Sequence, residues 1–197
     1  DAIFAIQPRS SDAARYFDSI KSRMSDLGRD PDTCKILFGM QPIIGSSEAE
    51  ALERQEEHNS LVPLDGGMAI LSAHLDFDLS RIPADALMTE REEPELYRMR
   101  TRFRKIDGTP MTVSEVAARH GQSVGLPQFV GTPTSIADQM QAFIDEVGGD
   151  GFMLTAIHSP GAIEEFVELV VPELQRRGIF RTQYKGTTQR EILNQND

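Results

Sequence analysis

Gly148 to Gly178 reads GGDGFMLTAIHSPGAIEEFVELVVPELQRRG. Phe152 to Ile157 is a near-continuous apolar run, with Gly148, Gly149 and Gly151 before it and Ser159, Pro160 and Gly161 after it. A short apolar run between breakers predicts a strand covered on both faces, as in a parallel sheet. Ile163, Phe166, Val167, Val170 and Leu174 then recur at helical spacing and predict a helix. Pro172 lacks a backbone donor and crowds the preceding turn, so a kink or restart is expected there. Arg176-Arg177 ahead of Gly178 suits a helix C-terminus, where cations meet the negative end of the backbone dipole and glycine takes the left-handed cap. A strand feeding a helix is half of a β-α-β unit.

The chain on either side repeats that unit. Ala2 to Ile6 is short, apolar and β-prone, and Gln7-Pro8-Arg9 ends it. Ser10-Ser11-Asp12 offers N-caps to a helix whose face is Phe17, Ile20, Met24 and Leu27, with Gly28 closing it. Lys35 to Ile44, KILFGMQPII, is the next strand; Gly39 and Pro42 interrupt it, so its regular part is expected to end near Met40. Ser47 with Glu50 forms a capping box for a helix to about Leu61, whose glutamates 48, 50, 53, 56 and 57 read as a solvated face. From Val62 the pattern weakens. A short helix within Leu64 to His74 is expected to break at Gly66-Gly67, Asp76 to Ser80 reads as loop, and Leu96 to Arg104 is helical with a local basic set, Arg98, Arg100, Arg102 and Arg104. Thr112 and Glu115 form a second capping box, Val113, Val116, Ala117 and His120 share a face, and Gly121 is read as the stop. Thr132-Pro133 opens the strongest amphipathic stripe, Ile136, Met140, Phe143, Ile144 and Val147. The order is strand, helix, strand, helix, long helical insertion, helix, strand, helix. This alternation predicts an α/β fold with a parallel sheet and helices outside it. The tail from Ile179 to Asp197 reads as a docked arm that loses order at its end.

Composition narrows the function. The chain has 197 residues, enough for one domain with a sizeable core, and 39% hydrophobic with 26% charged residues places it among soluble globular proteins. A net charge of -11 argues against a general binder of nucleic acid or anionic membranes. No apolar run approaches the ~20 residues of a membrane span and no secretory signal opens the chain, so a cytoplasmic setting is the default expectation. The single Cys34 excludes an internal disulfide and a multi-cysteine metal site, and reads as a buried, inert thiol. The chain starts at Asp1, directly on a strand.

No phosphate loop, dinucleotide fingerprint, HExxH or CxxC is present. His74, Asp76 and Asp78 would share a strand face and could hold a cation, but their segment does not read as a strand, so no metal site is expected. His58, among glutamates, reads as solvated. His158 lies past the end of the 152–157 strand, where parallel α/β folds place their sites, and Thr155 lies three residues earlier. Each remaining candidate has two readings. His158 is a surface-loop residue or a site residue; His120 is a packing residue or lines a substrate pocket. Gln7 and Gln41, just past strand ends, are loop residues or hydrogen-bond a ligand. Residue chemistry alone identifies no catalytic residue.

Gly131-Thr132-Pro133 with Ile136-Ala137-Asp138, then Asp150-Gly151-Phe152, then FVELVVPELQRRG over Phe166 to Gly178, resemble the C-terminal part of the bacterial luciferase-like flavin monooxygenases. The branch is that of the nitrilotriacetate and dibenzothiophene-sulfone monooxygenases. Ala2-Ile3-Phe4, Gly28-Arg29-Asp30-Pro31, Ile43-Ile44-Gly45, Asp78-Leu79-Ser80, Tyr184-Lys185-Gly186-Thr187 and Arg190-Glu191 match in the same order, so the resemblance covers nearly the whole chain. It implies a (β/α)₈ TIM barrel of which this chain supplies the C-terminal portion over 1–178, with an insertion at about 62–130 and a C-terminal arm at 179–197. The last three strands would be about 2–6, 35–40 and 152–157. It also implies reduced FMN delivered by a separate, transiently bound NAD(P)H:flavin reductase, a flavin C4a-hydroperoxide, and oxygenation of a small organic substrate. Because the flavin carries the chemistry, the protein need not supply a nucleophile.

The resemblance further implies that most flavin contacts, including a serine-bearing phosphate segment ahead of Ala2-Ile3-Phe4-Ala5, lie outside these residues. Three strands cannot close an eight-stranded barrel, so the remaining strands are expected on another segment, with pairing to that half or a homo-oligomer covering the open face. His120 falls in the insertion that helps wall the family's substrate pocket, and His158 stands where the family carries an apolar or aromatic residue. The alternatives are an inactive barrel fragment serving as an oligomerising or binding module, and a relative that uses the deazaflavin F420 for hydride transfer.

Overall fold

The computed structural model describes residues 2–105 and 107–194, with the backbone alone at Arg98, Arg100 and Thr101. The basic set is therefore described only at Arg102 and Arg104, and the last three residues of the tail lie outside the described residues. The elements in order are β1 (Ala2–Ala5), α1 (Ser10–Asp26), β2 (Lys35–Ile44), α2 (Glu48–Ser60), α3 (Leu64–Leu75), α4 (Val113–Ser123), β3 (Gln128–Gly131), α5 (Pro133–Val147), β4 (Gly151–Leu154), α6 (Gly161–Glu165), α7 (Val171–Arg176) and α8 (Gln189–Leu193). They divide into two compact units, one of Asp1–Gln55 with Leu126–Asp197 and one of Glu56–Gly125.

The first unit is a four-stranded parallel sheet centred on β2. β2 does not end near Met40. It continues to Ile44, and β3, which the sequence reading missed, pairs with its second half from Gln41 to Ile44. The pairing explains how Pro42 is tolerated. Met40 O accepts from Thr155 N at 2.9 Å, whereas Gln41 N donates to Pro127 O at 3.0 Å. Successive strand residues aim their amides at opposite edges, so β4 lies along one edge of β2 and β3 along the other. β1 and β4 both pair with Leu37 and Phe38, so β1 must share β3's edge. Pro42 turns its nitrogen towards β4's edge, beyond the last paired residue of that strand, where no ladder donor is required.

One face of the sheet is packed. Ile36, Phe38 and Met40 from β2 meet Ile136, Met140 and Phe143 from α5, Ala13 from α1, Phe166 and Val170 from the turn after α6, and Leu174 from α7. The other face carries Phe4, Leu37, Gly39, Gln41 and Met153. Phe4 is 49% and Met153 47% exposed, so β4 is covered on one face, not on both. β4 is also shorter than the expected run and ends at Leu154. Gly39 has a steric reason: a Cβ there would lie 2.4 Å from Leu126 Cδ2 and 2.8 Å from the Phe4 ring, which close over the strand.

Local signals placed the ends of α5 but not the start of α1. Thr132 caps α5 by accepting from Ser135 N, Pro133 opens it and Gly148 closes it at φ 76°. In α1 the cap is Arg9, not Ser10 to Asp12; Asp12 instead sits in the first turn and pairs with Arg9 and Arg15. Leu27 falls on the C-cap at 71% exposure, and the buried line of α1 is Ala13 and Met24 with Phe17 and Ile20 beside them. At α2, Glu50 accepts from Ser46 N while Ser47 Oγ accepts from Glu50 N.

The restart expected at Pro172 is a π-helical turn, Phe166–Val170, between α6 and α7. Buried Ala162, Phe166, Val170 and Leu174 recur every fourth residue. That spacing exceeds the 3.6 of an α-helix, and a wider turn keeps the four side chains in line while seating Pro172 in the first turn of α7. Ile163 and Val167 consequently point away from the core, at 38% and 54% exposure. The PELQRRG run fastens α7 to α5. Arg177 pairs with Asp138 at 2.7 Å, donates to Thr134 O at 3.2 Å, and meets Glu173, which also holds Arg176.

The second unit rests on the crossing of α3 and α4. The helix does not break at Gly66-Gly67, and Gly121 does not end α4, which runs on to Ser123 with Val124 and Gly125 at positive φ. Both glycines serve the crossing. A Cβ on Gly67 would lie 2.3 Å from Ala117 O, and one on Gly121 would lie 3.0 Å from Gly67 Cα. Leu79, Met88, Leu96 and Phe103 each drop a fully or almost fully buried side chain from the irregular stretch onto Leu71, Leu75, Val113 and Val116. No helix of the described residues is long and apolar enough to cross a membrane.

Two predictions follow from this packing. The two arginines, through hydrogen bonds that outweigh burial, hold the Glu173 carboxyl at about 2. A depressed carboxyl stabilises the fold fully above its ordinary 4.5 and loses that contribution as pH falls through about 2. Glu173→Gln should therefore lower the melting temperature at pH 7, with the difference from wild type shrinking in melts towards pH 2. Gly67→Ala should destabilise by ~1–3 kcal/mol in denaturant unfolding, because the added methyl meets backbone. Gly66→Ala, whose Cβ meets only the Pro63 ring at 3.3 Å, should be near neutral or stabilising.

Candidate functional site

All four strands of the first unit are parallel, so their C-terminal ends lie on one side of the sheet. That side gathers four of the five sequence candidates. Gln7 follows β1, Gln41 lies in β2, Thr155 follows β4, and His158 lies three residues further on. Gln41 is not past a strand end as expected; it is inside β2 and 3% exposed. Met40 pairs with Leu154, so one residue further Gln41 and Thr155 stand side by side on the face opposite the helix layer.

Gln41 is held by a chain of amides. Its Oε1 accepts from Gln128 Nε2 at 2.8 Å, and Gln128 Oε1 accepts from Gln55 Nε2 at 2.7 Å. Gln128 reaches Gln41 because the two are register partners across β2 and β3. Gln41 Nε2 has no protein partner among the described residues, and no fully buried side-chain polar atom among them is left unsatisfied, so this N–H₂ opens to solvent. Gln55 and Gln128 escaped the sequence reading. The alternation of buried Phe129 and Gly131 in Gln128–Gly131 was the one available signal for β3.

His158 is exposed, and its ring lies over the start of α6: a Cβ on Gly161 would be 2.9 Å from His158 Nε2. Arg54, from α2, donates to Ile44 O at the end of β2 and is engaged by Glu50 and Glu165. Asp150 marks the opposite, N-terminal end of the sheet. It accepts from Ile36 N at 2.8 Å and pairs with Lys21 at 3.1 Å and Lys35 at 3.7 Å. In barrel folds that end serves stability rather than chemistry.

His120, the fifth candidate, belongs to the second unit. It is 4% exposed, and its Nε2 lies 2.8 Å from Nδ1 of the exposed His74, with the rings edge to face at 5.0 Å. One of the two nitrogens carries the shared proton. Burial first, then the charges of His74, Arg102 and Arg119, push His120 down to about 4, so it is neutral at pH 7. His74 lies in the last turn of α3 and Asp76 caps it in the left-handed conformation, so His74, Asp76 and Asp78 do not share a strand face. His58 is half-buried against Gln122 O at 3.0 Å, rather than simply solvated.

A parallel sheet with helices on one face, an open apolar inner face and polar groups at the C-terminal strand ends defines a segment of a TIM-barrel enzyme. No family model matches the chain. The chain is 35% identical over 201 residues to the dibenzothiophene-sulfone monooxygenase of Rhodococcus erythropolis, covering 98% of this chain and 44% of that protein. It is 33% identical over 198 residues to nitrilotriacetate monooxygenase component A of Aminobacter aminovorans, with the same coverages. The crystal structure of DmoA from Hyphomicrobium sulfonivorans superimposes with a TM-score of 0.85 at 26% identity, over 99% of this chain and 41% of that one. The chain belongs to the luciferase-like monooxygenase family, as a C-terminal part of its barrel. It spans 44% of the length of these curated relatives.

The lowered His120 gives a pH prediction. The unfolded chain binds a proton near 6.5 that the folded one refuses until about 4, so stability should fall as pH drops from 6.5 towards 4. His120→Asn should flatten that part of the pH profile, measured by denaturant unfolding at fixed ionic strength.

Proposed function

We propose that the chain is the C-terminal part of a two-component, FMN-dependent monooxygenase that oxygenates a small organic substrate. The observation that carries this reading is the alignment of 98% of the chain, without a large gap in coverage, to a monooxygenase at 35% identity. Component A in the name of the nitrilotriacetate enzyme supports a separate partner, which we take to be an NAD(P)H:flavin reductase.

The residues fit part of a flavin. Phe4 and Met153 offer an exposed apolar wall, and Gln41 and Thr155 offer neutral hydrogen-bonding groups beside it, which suits a flat ring system. They do not form a phosphate cradle, since Arg54 is already engaged by carboxylates; the phosphate would be held by other parts of the barrel. Bound reduced FMN supplies the activation of molecular oxygen. The chain's own residues exclude water along the Phe4 and Met153 wall and orient polar groups of flavin or substrate through Gln41 and Thr155. Gln7 and His158 sit at the rim. None of them is asked to act as a nucleophile.

The test uses the complete protein with FMN, a flavin reductase and NADH. It is run on a panel that includes dibenzothiophene sulfone and nitrilotriacetate, the compounds that name the relatives. Substrate-dependent oxygen uptake with label from ¹⁸O₂ in the product is expected. Hydride transfer to F420 without oxygen uptake would overturn the reading in favour of the deazaflavin relatives, and failure to bind FMN would favour a non-catalytic barrel.

A further inference from the structure

We propose that Gln55 and Gln128 are positioning residues. Their amides fix the orientation of Gln41, so that its N–H₂, and not its C=O, faces the inner side of the barrel and selects an acceptor oxygen. The inference rests on the flavin monooxygenase reading. The acceptor it fits is a carbonyl or similarly polarised oxygen, on the flavin ring or on the substrate.

A primary amide is nearly symmetrical in shape but opposite in chemistry at its two ends. Gln41 could present either end to the inner face. Within the relay the choice is not its own: Gln128 offers Nε2 to it, so Gln41 must answer with Oε1. Gln128 is held in that sense by Gln55, whose Nε2 occupies Gln128 Oε1. The relay starts on α2, crosses β3 and ends on β2, with all three residues in the sheet unit. Its last donor has no protein partner among the described residues, although Gln41 is almost wholly buried. A buried polar group gains its partner from protein, water or ligand, and this one points to where a barrel places its ligand.

Direction in a relay can be reversed from its far end. Glutamate at position 55 can only accept, which favours Gln128 with its Nε2 turned towards it and its Oε1 towards Gln41. Gln41 then spends its N–H₂ on Gln128 and presents Oε1 inwards. Gln55→Glu therefore removes the donor from the site without touching β2, β3 or the inner face. Gln128→Glu does the same one step closer. Gln55→Leu breaks the relay without reversing it.

The experiment compares these variants with Gln41→Leu in the complete enzyme. It reads the Kd for FMN by fluorescence quenching, and kcat and KM for the panel compound that supports oxygen uptake. Gln55→Glu and Gln128→Glu should each weaken one of these constants roughly five- to tenfold, the range of one lost neutral hydrogen bond. Gln41→Leu should do the same, Gln55→Leu should cost less than threefold, and the double variant Gln55→Glu with Gln41→Leu should be no worse than Gln41→Leu alone. A change in the FMN Kd places the acceptor on the flavin; a change in KM at unaltered FMN Kd places it on the substrate. Thermal melts confirm folding, and Gln55→Glu, on a half-buried helix position, keeps the test open if Gln128→Glu does not fold. If Gln55→Glu matches wild type in both constants, or if its effect adds to that of Gln41→Leu, the inference is wrong while the monooxygenase reading stands. A wild type that binds no FMN and takes up no oxygen removes both.

Discussion

Everything in the sheet unit depends on the pairing of β2. Its even-numbered residues aim their amides at β4 and its odd-numbered residues at β1 and then β3, so one strand of ten residues organises three others. The same alternation sends Ile36, Phe38 and Met40 into the helix layer and leaves Gly39 and Gln41 on the opposite face. A one-residue slip would put Gln41 into the apolar core and Met40 into the site, and both errors are costly. Packing against α5 and pairing with three strands therefore fix the register that the site requires.

The two ends of this sheet carry different chemistry. At the N-terminal end, Asp150 gathers Ile36 N, Lys21 and Lys35 into an ionic knot. At the C-terminal end Arg54 is engaged by Glu50 and Glu165, the open face beside Phe4 and Met153 carries the neutral Gln41 and Thr155, and the amide chain from Gln55 to Gln41 terminates in a donor that no described side chain takes up. Neutral groups beside an apolar wall suit a reaction whose electrons and oxygen are handled by a cofactor rather than by ionised side chains. The most recognisable stretch of sequence, PELQRRG, does none of this work. Arg177 and Glu173 fasten α7 to α5 on the outside of the sheet, which makes that stretch a signature of the fold rather than of the chemistry.

The second unit is built by a different rule. Its glycines are spacers, not breakers: Gly67 and Gly121 let α3 and α4 approach until Gly67 and Ala117 O leave no room for a methyl group. The irregular stretch is held by single buried anchors at Leu79, Met88, Leu96 and Phe103, too widely separated to create a periodic pattern. Sequence reading misjudged the glycines, because a glycine inside a helix and one at its end look alike until the neighbouring helix is in place.

Local chemistry was legible in the sequence. The capping box at Thr112, the Thr132-Pro133 helix start, the stripe of α5, the restart at Pro172 and the α/β alternation all follow from interactions within a few residues, and so did the family resemblance. Gln7, Thr155 and His158 could be singled out because each follows a strand, and Gln41 because β2 was expected to end just before it, although β2 runs on to Ile44. What only the tertiary structure decided is which of them meet. β3 has four residues and exists because Gln41 to Ile44 offer it an edge; Gln128 and Gln55 acquire a role only through that pairing; His74 finds His120 only where two helices cross. Residues far apart in sequence carry no local record of each other, and the energy that joins them comes from packing and pairing that exist only once the chain has folded.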